Sequence, residues 1–302
     1  MSIHRPSTLR RILNRIYPFP LVRAQDNRLA NLEATLAHMR QSMDAMRSDV
    51  LKKVDGSRWH LRDFIDGKSP EPATLTCILC KHTAPTSSLK VRTSECIFGG
   101  GALVRHECSH CGAVFGPQKM LKLTPEELSF EYKELYGYYR EADSTPSEVR
   151  AFHALKPRKG GVYLNYGAGA WSQSVAQLRE EGYTVYAYEP HVDIASEFLI
   201  NSETQLCKMR FDGIYSNNVI EHFDDPVKAF RLMASVLKGP ESRMAHASPC
   251  YDYSVEFTRF HLIFFTGQSV EVLAKMSGLK TAGSERDTIN GVTYICHHFQ
   301  PQ

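Results

Sequence analysis

Three groups of residues in this 302-residue sequence carry chemistry by their type and spacing. The first is a pair of Cys-x-x-Cys segments, Cys77-Ile-Leu-Cys80 and Cys108-Ser-His-Cys111, with 27 residues between them. Four thiolates at that spacing suit a tetrahedral ion, and zinc is the ordinary occupant of such paired knuckles. His82, His106 and His110 lie nearby but are not needed to complete the set, and Cys96 is left over as a spare thiol. The second group is Gly167-Ala-Gly169, with Glu189 following 22 residues beyond Gly167. Glycines let a ligand approach the backbone, and a carboxylate at the tip of the next strand can accept hydrogen bonds from both ribose hydroxyls. The third group is Glu221, His222 and His261, with Asp225 and His246 as further candidates. Such side chains take a proton from a poor nucleophile or hold a metal ion.

The elements that must position these groups are legible from period and punctuation. Val162–Tyr166 reads as a buried strand entering the glycine turn, Ser172–Glu181 as the helix after it, and Tyr183–Glu189 as the next strand. This is a βαβ unit with a nucleotide-type first turn, and it leaves a nicotinamide dinucleotide and S-adenosylmethionine both open. Upstream, Thr124-Pro125-Glu126-Glu127 is an N-cap signal for a helix to about Arg140, and a second helix is expected from Ser144 to about Lys156. The tyrosines of the first of these helices, Tyr132, Tyr136, Tyr138 and Tyr139, are expected to pack against the following domain or to line a pocket.

Leu29, Leu32, Leu36, Met39, Met43, Met46 and Val50 recur at alternating spacings of three and four, a heptad seam over three heptads. A coiled coil that joins copies of the chain is the expectation for residues 29–50. Residues 8–17 form a basic amphipathic pattern, read as a packed N-terminal helix or as attachment to an anionic membrane surface or a glycosyltransferase.

Composition narrows the partners. Net charge is +3, but residues 1–70 hold 13 Lys/Arg against 7 Asp/Glu, so the remainder, with 23 basic and 26 acidic residues, sums to −3. That balance argues against a nucleic-acid partner. No apolar run approaches the length of a membrane span, and Arg10, Arg11 and Arg15 interrupt any signal-peptide core. Eight cysteines without an export signal suit a reducing cytoplasm, with a peripheral position at the inner membrane face as the reading of the basic N-terminus.

Phe211-Asp-Gly-Ile, Glu221-His222 and Asp225-Pro226, followed by an expected helix over 227–237, resemble the fourth-strand signature of class I methyltransferases. Lys238-Gly239-Pro240 resembles the turn that follows it. Phe264-Phe-Thr-Gly-Gln-Ser269 resembles the late helix start, and 280–286 with 292–299 the closing antiparallel hairpin. The resemblance covers roughly 150–302. It implies an α/β, Rossmann-like domain that uses S-adenosylmethionine, with Asn165, Gly167, Gly169, Glu189 and Asn217 at the cofactor.

The expected organisation is a basic segment and coiled-coil helix (1–65), a zinc ribbon (74–120), a helical connector (121–157) and the methyltransferase domain (158–302). With the knuckles included, the chain is similar to bacterial methyltransferases that carry an N-terminal cysteine ribbon and act on sugars. That likeness implies O-methylation of a glycan or nucleotide-sugar hydroxyl.

Asn218-Val-Ile-Glu221-His222 also resembles the metal-binding segment of ubiquinone-pathway and small-RNA 2′-O-methyltransferases, with His261 at the place of their last ligand. A magnesium or manganese ion on Asn218, Glu221, His222 and His261 is therefore one expectation, and unassisted base catalysis by His222 or His261 another. Departures from the family are Asn165 in place of an acid, Trp171 in place of a glycine, and only about 20 residues between the second strand and Phe211. They leave the adenine pocket and third strand in question. Two alternatives follow: a ribbon-bearing RNA methyltransferase, and a scaffold that has lost the cofactor.

Overall fold

The structure, a computed structural model, describes residues 20–68, 71–140, 143–169, 173–190, 196–249, 258–289 and 292–302. The basic pattern at 8–17, Trp171 and the start of the shortened middle, 191–195, lie outside them. The chain divides into two compact units, residues 1–51 and 52–302.

Helix α1 (Pro20–Asp66) is 47 residues long, about 70 Å at 1.5 Å per residue. Along its first unit the seven seam residues from Leu29 to Val50 are each between 51% and 70% exposed. In the second unit its inward residues are buried, with Trp59 the largest of them. Among the described residues no helix is long and apolar enough to cross a membrane.

The second unit contains three sheets. Strands β1 (Thr74–Thr76) and β2 (Thr83–Pro85) form a ribbon around the first cysteine pair. Strands β3 (Lys90–Glu95), β4 (Ala102–Glu107) and β5 (Val114–Phe115) form an antiparallel sheet around the second. Next come α2 (Pro125–Tyr136), started by a Thr124/Glu127 capping box, and α3 (Thr145–Ala154).

The third sheet has seven strands. Its parallel part comprises β6 (Val162–Tyr166), β7 (Thr184–Tyr188), β8 (Leu199–Ile200), β9 (Gly213–Asn217) and β10 (Arg243–Pro249). After β11 (Ile263–Phe264), which joins β5 in the second sheet, β12 (Leu279–Ile289) and β13 (Val292–Pro301) close the large sheet as an antiparallel hairpin. Its order is β12-β13-β10-β9-β6-β7-β8, so strand order reverses between β6 and β9. Ligands of open α/β sheets sit outside the carboxyl ends of the strands at such a reversal.

The third strand, uncertain from sequence, is present as β8, with only two residues. Besides α3, the longer helices that pack on the sheet are α4 (Ser174–Glu180), α5 (Pro226–Ser235) and α6 (Ser269–Met276), and a single turn, Glu203–Leu206, follows β8. Side chains alternate along the strands, so each face of the sheet has its own core. Tyr163, Tyr215 and Ala245 pack with Phe152 of α3 and Leu178 of α4. Leu164, Ile214 and Met244 pack with Phe230 of α5 and Leu273 of α6.

Candidate active site and cysteine centre

The two cysteine pairs form knuckles with the same hydrogen-bond pattern. Cys77 N–H donates to the His82 carbonyl (2.9 Å) and Lys81 N–H to the Cys77 carbonyl (3.0 Å). Cys108 N–H donates to the Ala113 carbonyl (2.8 Å) and Gly112 N–H to the Cys108 carbonyl (2.9 Å). Each knuckle turns back through positive φ, 59° at Lys81 and 77° at Gly112. Sγ of Cys77 lies 3.8 Å from that of Cys111, Cys80 lies 3.5 Å from Cys108, and all four sulfurs fall within 4.8 Å of one another. Thiolates about 2.3 Å from a tetrahedral zinc ion stand about 3.8 Å apart, so the donor type, number and spacing fit that ion. Hydrogen bonding from Cys111 holds the Cys77 thiol down at about 5, while the same contact and burial push Cys111 up.

The knuckles are stitched to the segment that carries His261. Gln268 N–H donates to the Cys111 carbonyl (3.0 Å) and the Thr266 hydroxyl to the Gly112 carbonyl (2.6 Å). Gly112 is obligatory here, because a Cβ on it would stand 3.0 Å from the Gly267 Cα. Arg105 on β4, fully buried, donates to the carbonyls of Thr258 and His261 (3.1 Å to the latter). Arg259, equally buried, pairs with Asp55 of α1, and Asp55 also takes Arg58 and the Tyr138 hydroxyl, each at 2.7 Å.

At the carboxyl edge of the large sheet, Gly167 N–H donates to the Tyr188 carbonyl (2.8 Å) and Gly169 N–H to the Glu189 carboxylate (3.1 Å). A Cβ on Gly167 would lie 2.8 Å from a Val219 methyl, so the loop after β6 packs directly on the segment leading to Glu221. Gly169, at φ 63°, has nothing among the described residues within 4 Å of a Cβ built there. Glu189 is set by β8, whose Ile200 carbonyl accepts the Glu189 N–H (3.1 Å).

Asn217, at the end of β9, is buried, and neither end of its amide has a hydrogen-bond partner among the described residues. Buried amides are rarely left so, and this one fits a ligand group at the strand edge. A glycine turn, a carboxylate beside it and an orphaned amide fit an adenosyl cofactor. Asn165 differs. Its amide nitrogen donates to Glu148 (2.6 Å), and Ser174 Oγ lies 3.3 Å away, so its amine end is committed to a buried knot between α3 and α4.

Glu221 and His222 follow β9 in a short 3₁₀ turn, Ile220–His222, with Glu221 fully buried. The rings of His222 and His261 meet edge to face, centroids 4.6 Å apart. Ligating atoms of Glu221, His222 and His261 all lie within 4.8 Å of one another. The Tyr132 hydroxyl reaches His222 Nδ1 at 3.0 Å. Leu262 N–H donates to the Glu221 carbonyl (2.7 Å), which closes the turn onto the His261 segment. Burial pushes His222 down to about 4, and burial with His222 alongside lowers His261 well below the usual imidazole range. Both rings are neutral at neutral pH and carry a lone pair for a proton or a metal.

Asn218 enters the turn at φ 56°, its amide oxygen buried with no partner among the described residues. His246 and Asp225 stand elsewhere. His246 is sealed in the core with Nδ1 at 2.7 Å from Ser216 Oγ, and Asp225 caps α5 by accepting the Lys228 N–H (3.1 Å).

Sequence reading passed over Arg105, Asp55, Arg259 and Glu148. Two of them leave a signal. Glu148 precedes Ala151, Phe152 and Leu155 at helical spacings on the buried stripe of α3, and Arg105 shares the inward face of β4 with Leu103. A charge on an apolar stripe marks a buried polar knot.

Residues 138–282 match the family model of a methyltransferase domain. With the Rossmann-like sheet and its glycine turn, this match makes residues 138–282 a methyltransferase domain. No curated protein matches it. Among solved structures it is similar to the 1,6-didemethyltoxoflavin-N1-methyltransferase of Burkholderia thailandensis, at 16% identity and a TM-score of 0.47, over 66% of this chain and 96% of that one. It is also similar to the mitomycin 7-O-methyltransferase, at 13% identity and a TM-score of 0.41, over 61% of this chain and 60% of that one. A third is the magnesium protoporphyrin IX methyltransferase of Synechocystis, at 10% identity and a TM-score of 0.37, over 60% and 86%.

Proposed function

We propose that this methyltransferase acts on a hydroxyl of a sugar, in a surface polysaccharide or a nucleotide sugar, and that its four cysteines hold a structural zinc ion. The observation that carries the reading is the gathering of Glu221, His222 and His261 within 4.8 Å, next to the loop that ends β6. A sugar hydroxyl is a poor nucleophile at neutral pH, so its transfer needs a group that takes the proton. The resemblance to ribbon-bearing sugar methyltransferases supplies the acceptor class.

The cofactor supplies a methyl group on a sulfonium centre. Gly167 and Gly169 give its backbone approach, Glu189 accepts from its ribose, and Asn217 offers its amide. On the acceptor side, one neutral imidazole takes the hydroxyl proton, and Tyr132 orients His222 through Nδ1. Glu221, with no exposed surface, stabilises the imidazolium that results.

The same donor set favours a second reading. Two imidazoles and a carboxylate, with the Asn218 amide oxygen as a further donor, could take a divalent ion, magnesium or manganese. There Glu221, His222 and His261 would hold the ion, which would lower the pKa of a bound hydroxyl, and the two histidines would be ligands rather than bases.

The test is labelled-methyl transfer to polysaccharide and nucleotide-sugar pools, with RNA as the competing acceptor. His222→Ala and His261→Ala should each lower turnover about 100-fold or more with cofactor affinity nearly unchanged. Wild-type turnover in both variants sinks the assignment. Chelation followed by manganese add-back separates ion from base, provided the ribbon zinc is shown to survive.

A further inference from the structure

The exposed seam of α1 carries a charge pattern that selects one partner geometry, and this rests on nothing in the catalytic reading. With Leu29 at heptad position a, the core residues are Leu29, Leu36, Met43 and Val50 at a and Leu32, Met39 and Met46 at d. The next d position is Lys53, so the seam ends at Val50 after about 32 Å of helix. Asp26, Glu33, Arg40 and Arg47 hold the e positions, and Arg28, Thr35, Ser42 and Asp49 the g positions. Acid fills the first half of the e row and base the second half. In the g row the one base comes first and the one acid last.

A parallel pair sets each g residue against the e residue five places on. Only Arg28 with Glu33 then meets opposite charge, while Arg40 and Arg47 face Thr35 and Ser42. An antiparallel pair sets e against e and g against g, in reverse order. With Leu29 opposite Met46 of the second copy, Leu36 opposite Met39 and Leu32 opposite Met43, every leucine of the seam meets a methionine, and Val50 falls opposite position 25, a glutamine. In that register Glu33 meets Arg40, Asp26 meets Arg47 and Arg28 meets Asp49, each twice by symmetry. All six charges along e and g find the opposite sign.

We infer that α1 is the dimerisation arm of this protein, and that its occupant is the same helix of a second copy, antiparallel, in the register that places Leu29 against Met46. The seam residues lie more than half exposed in the single chain. The dyad falls between residues 37 and 38, so residues 20–55 of one helix lie along the same residues of the other.

The experiment uses the full-length chain in sedimentation equilibrium at tens of micromolar, with charge exchange at the inner pair. Wild type should be a dimer. Glu33→Arg alone or Arg40→Glu alone replaces two attractions by two repulsions and should weaken the dimer about tenfold. Combining them restores both pairs in the antiparallel register, and affinity should return to within about threefold of wild type. In a parallel pair the double variant sets Arg28 against a second positive charge at position 33 and stays weak, which would overturn the geometry.

A mixture of Leu29→Cys and Met46→Cys chains, oxidised and mapped by mass spectrometry, should join position 29 to 46. A link of 29 to 29 would also overturn it. A wild-type monomer, or a trimer, would overturn the arm itself.

Discussion

In the proposed cofactor site, Glu189 is the residue assigned to the ribose. Its backbone is pinned by the Ile200 carbonyl at 3.1 Å, and its carboxylate already accepts the Gly169 N–H at 3.1 Å. The acceptor is therefore held in place before any ligand arrives, and little ordering remains to be done on binding. A ribose offers it two hydroxyl donors, each a hydrogen bond to a charged group of about 1.5–3 kcal/mol.

Glu189→Ala removes that acceptor but lets water reach the Gly169 N–H and the ribose edge, because Glu189 is only part-buried. The net loss should therefore be close to one such bond rather than two. At 1.4 kcal/mol per decade this is about a 10- to 150-fold rise in the dissociation constant. Glu189→Gln keeps an oxygen acceptor without the charge and should fall between wild type and alanine. Calorimetric titration with S-adenosylmethionine reads all three, and thermal melting checks that each variant is folded. An unchanged constant in Glu189→Ala would refute the placement, and the ribose would then lie away from the tip of β7.

Two further predictions concern stability. Cys108→Ser removes one of four converging thiolates, so zinc should fall from about one per chain and stability by a few kcal/mol or more; elemental analysis with urea unfolding reads both, and fresh wild-type protein without zinc would sink the ribbon. His246 is sealed in the core and pushed down to about 3, chiefly by burial, so the native state refuses a proton that the unfolded chain takes near pH 6.5. Its contribution is present above pH 6.5 and is lost as pH falls toward 3, by about 2 kcal/mol at pH 5. His246→Asn should flatten the decline in unfolding free energy between pH 6.5 and 4 by about one proton; a parallel curve would show that His246 does not titrate on unfolding.

How far the sequence carried depended on whether a residue's partner was periodic or remote. The strand over 162–166 could be read because its alternating side chains feed two cores. The long helix could be read from its seam, and the Thr124 cap from its spacing to Glu127. The third strand was doubtful because two residues, Leu199 and Ile200, are too few for a period to show. Glu221, His222 and His261 could be named singly, but their meeting depends on Arg105 and Arg259, which hold the segment between 258 and 262. Arg259 finds Asp55 across 204 residues, and no local spacing encodes such a contact. Asn165 was assigned to the cofactor from its place at the end of β6, and period two alone could not reveal that its amine end is taken by Glu148.

Those remote contacts give the cysteine centre a reason to be joined to a transferase fold. Among the described residues the His261 segment, from 258 to 262, adds no strand to the large sheet. It returns as β11, pairing with β5 of the ribbon-side sheet rather than with its own domain. Arg105 fixes its carbonyls from one side, Asp55 holds Arg259 from another, and the second knuckle grips Gln268 through the Cys111 carbonyl. In the proposed mechanism the loop that carries His261 has to be held to within a fraction of an ångström, and its two-residue strand is short for that task. The knuckles, with no catalytic side chain of their own, act as the clamp that the open edge of the sheet lacks, and the imidazole of His261 meets that of His222 because the clamp is closed.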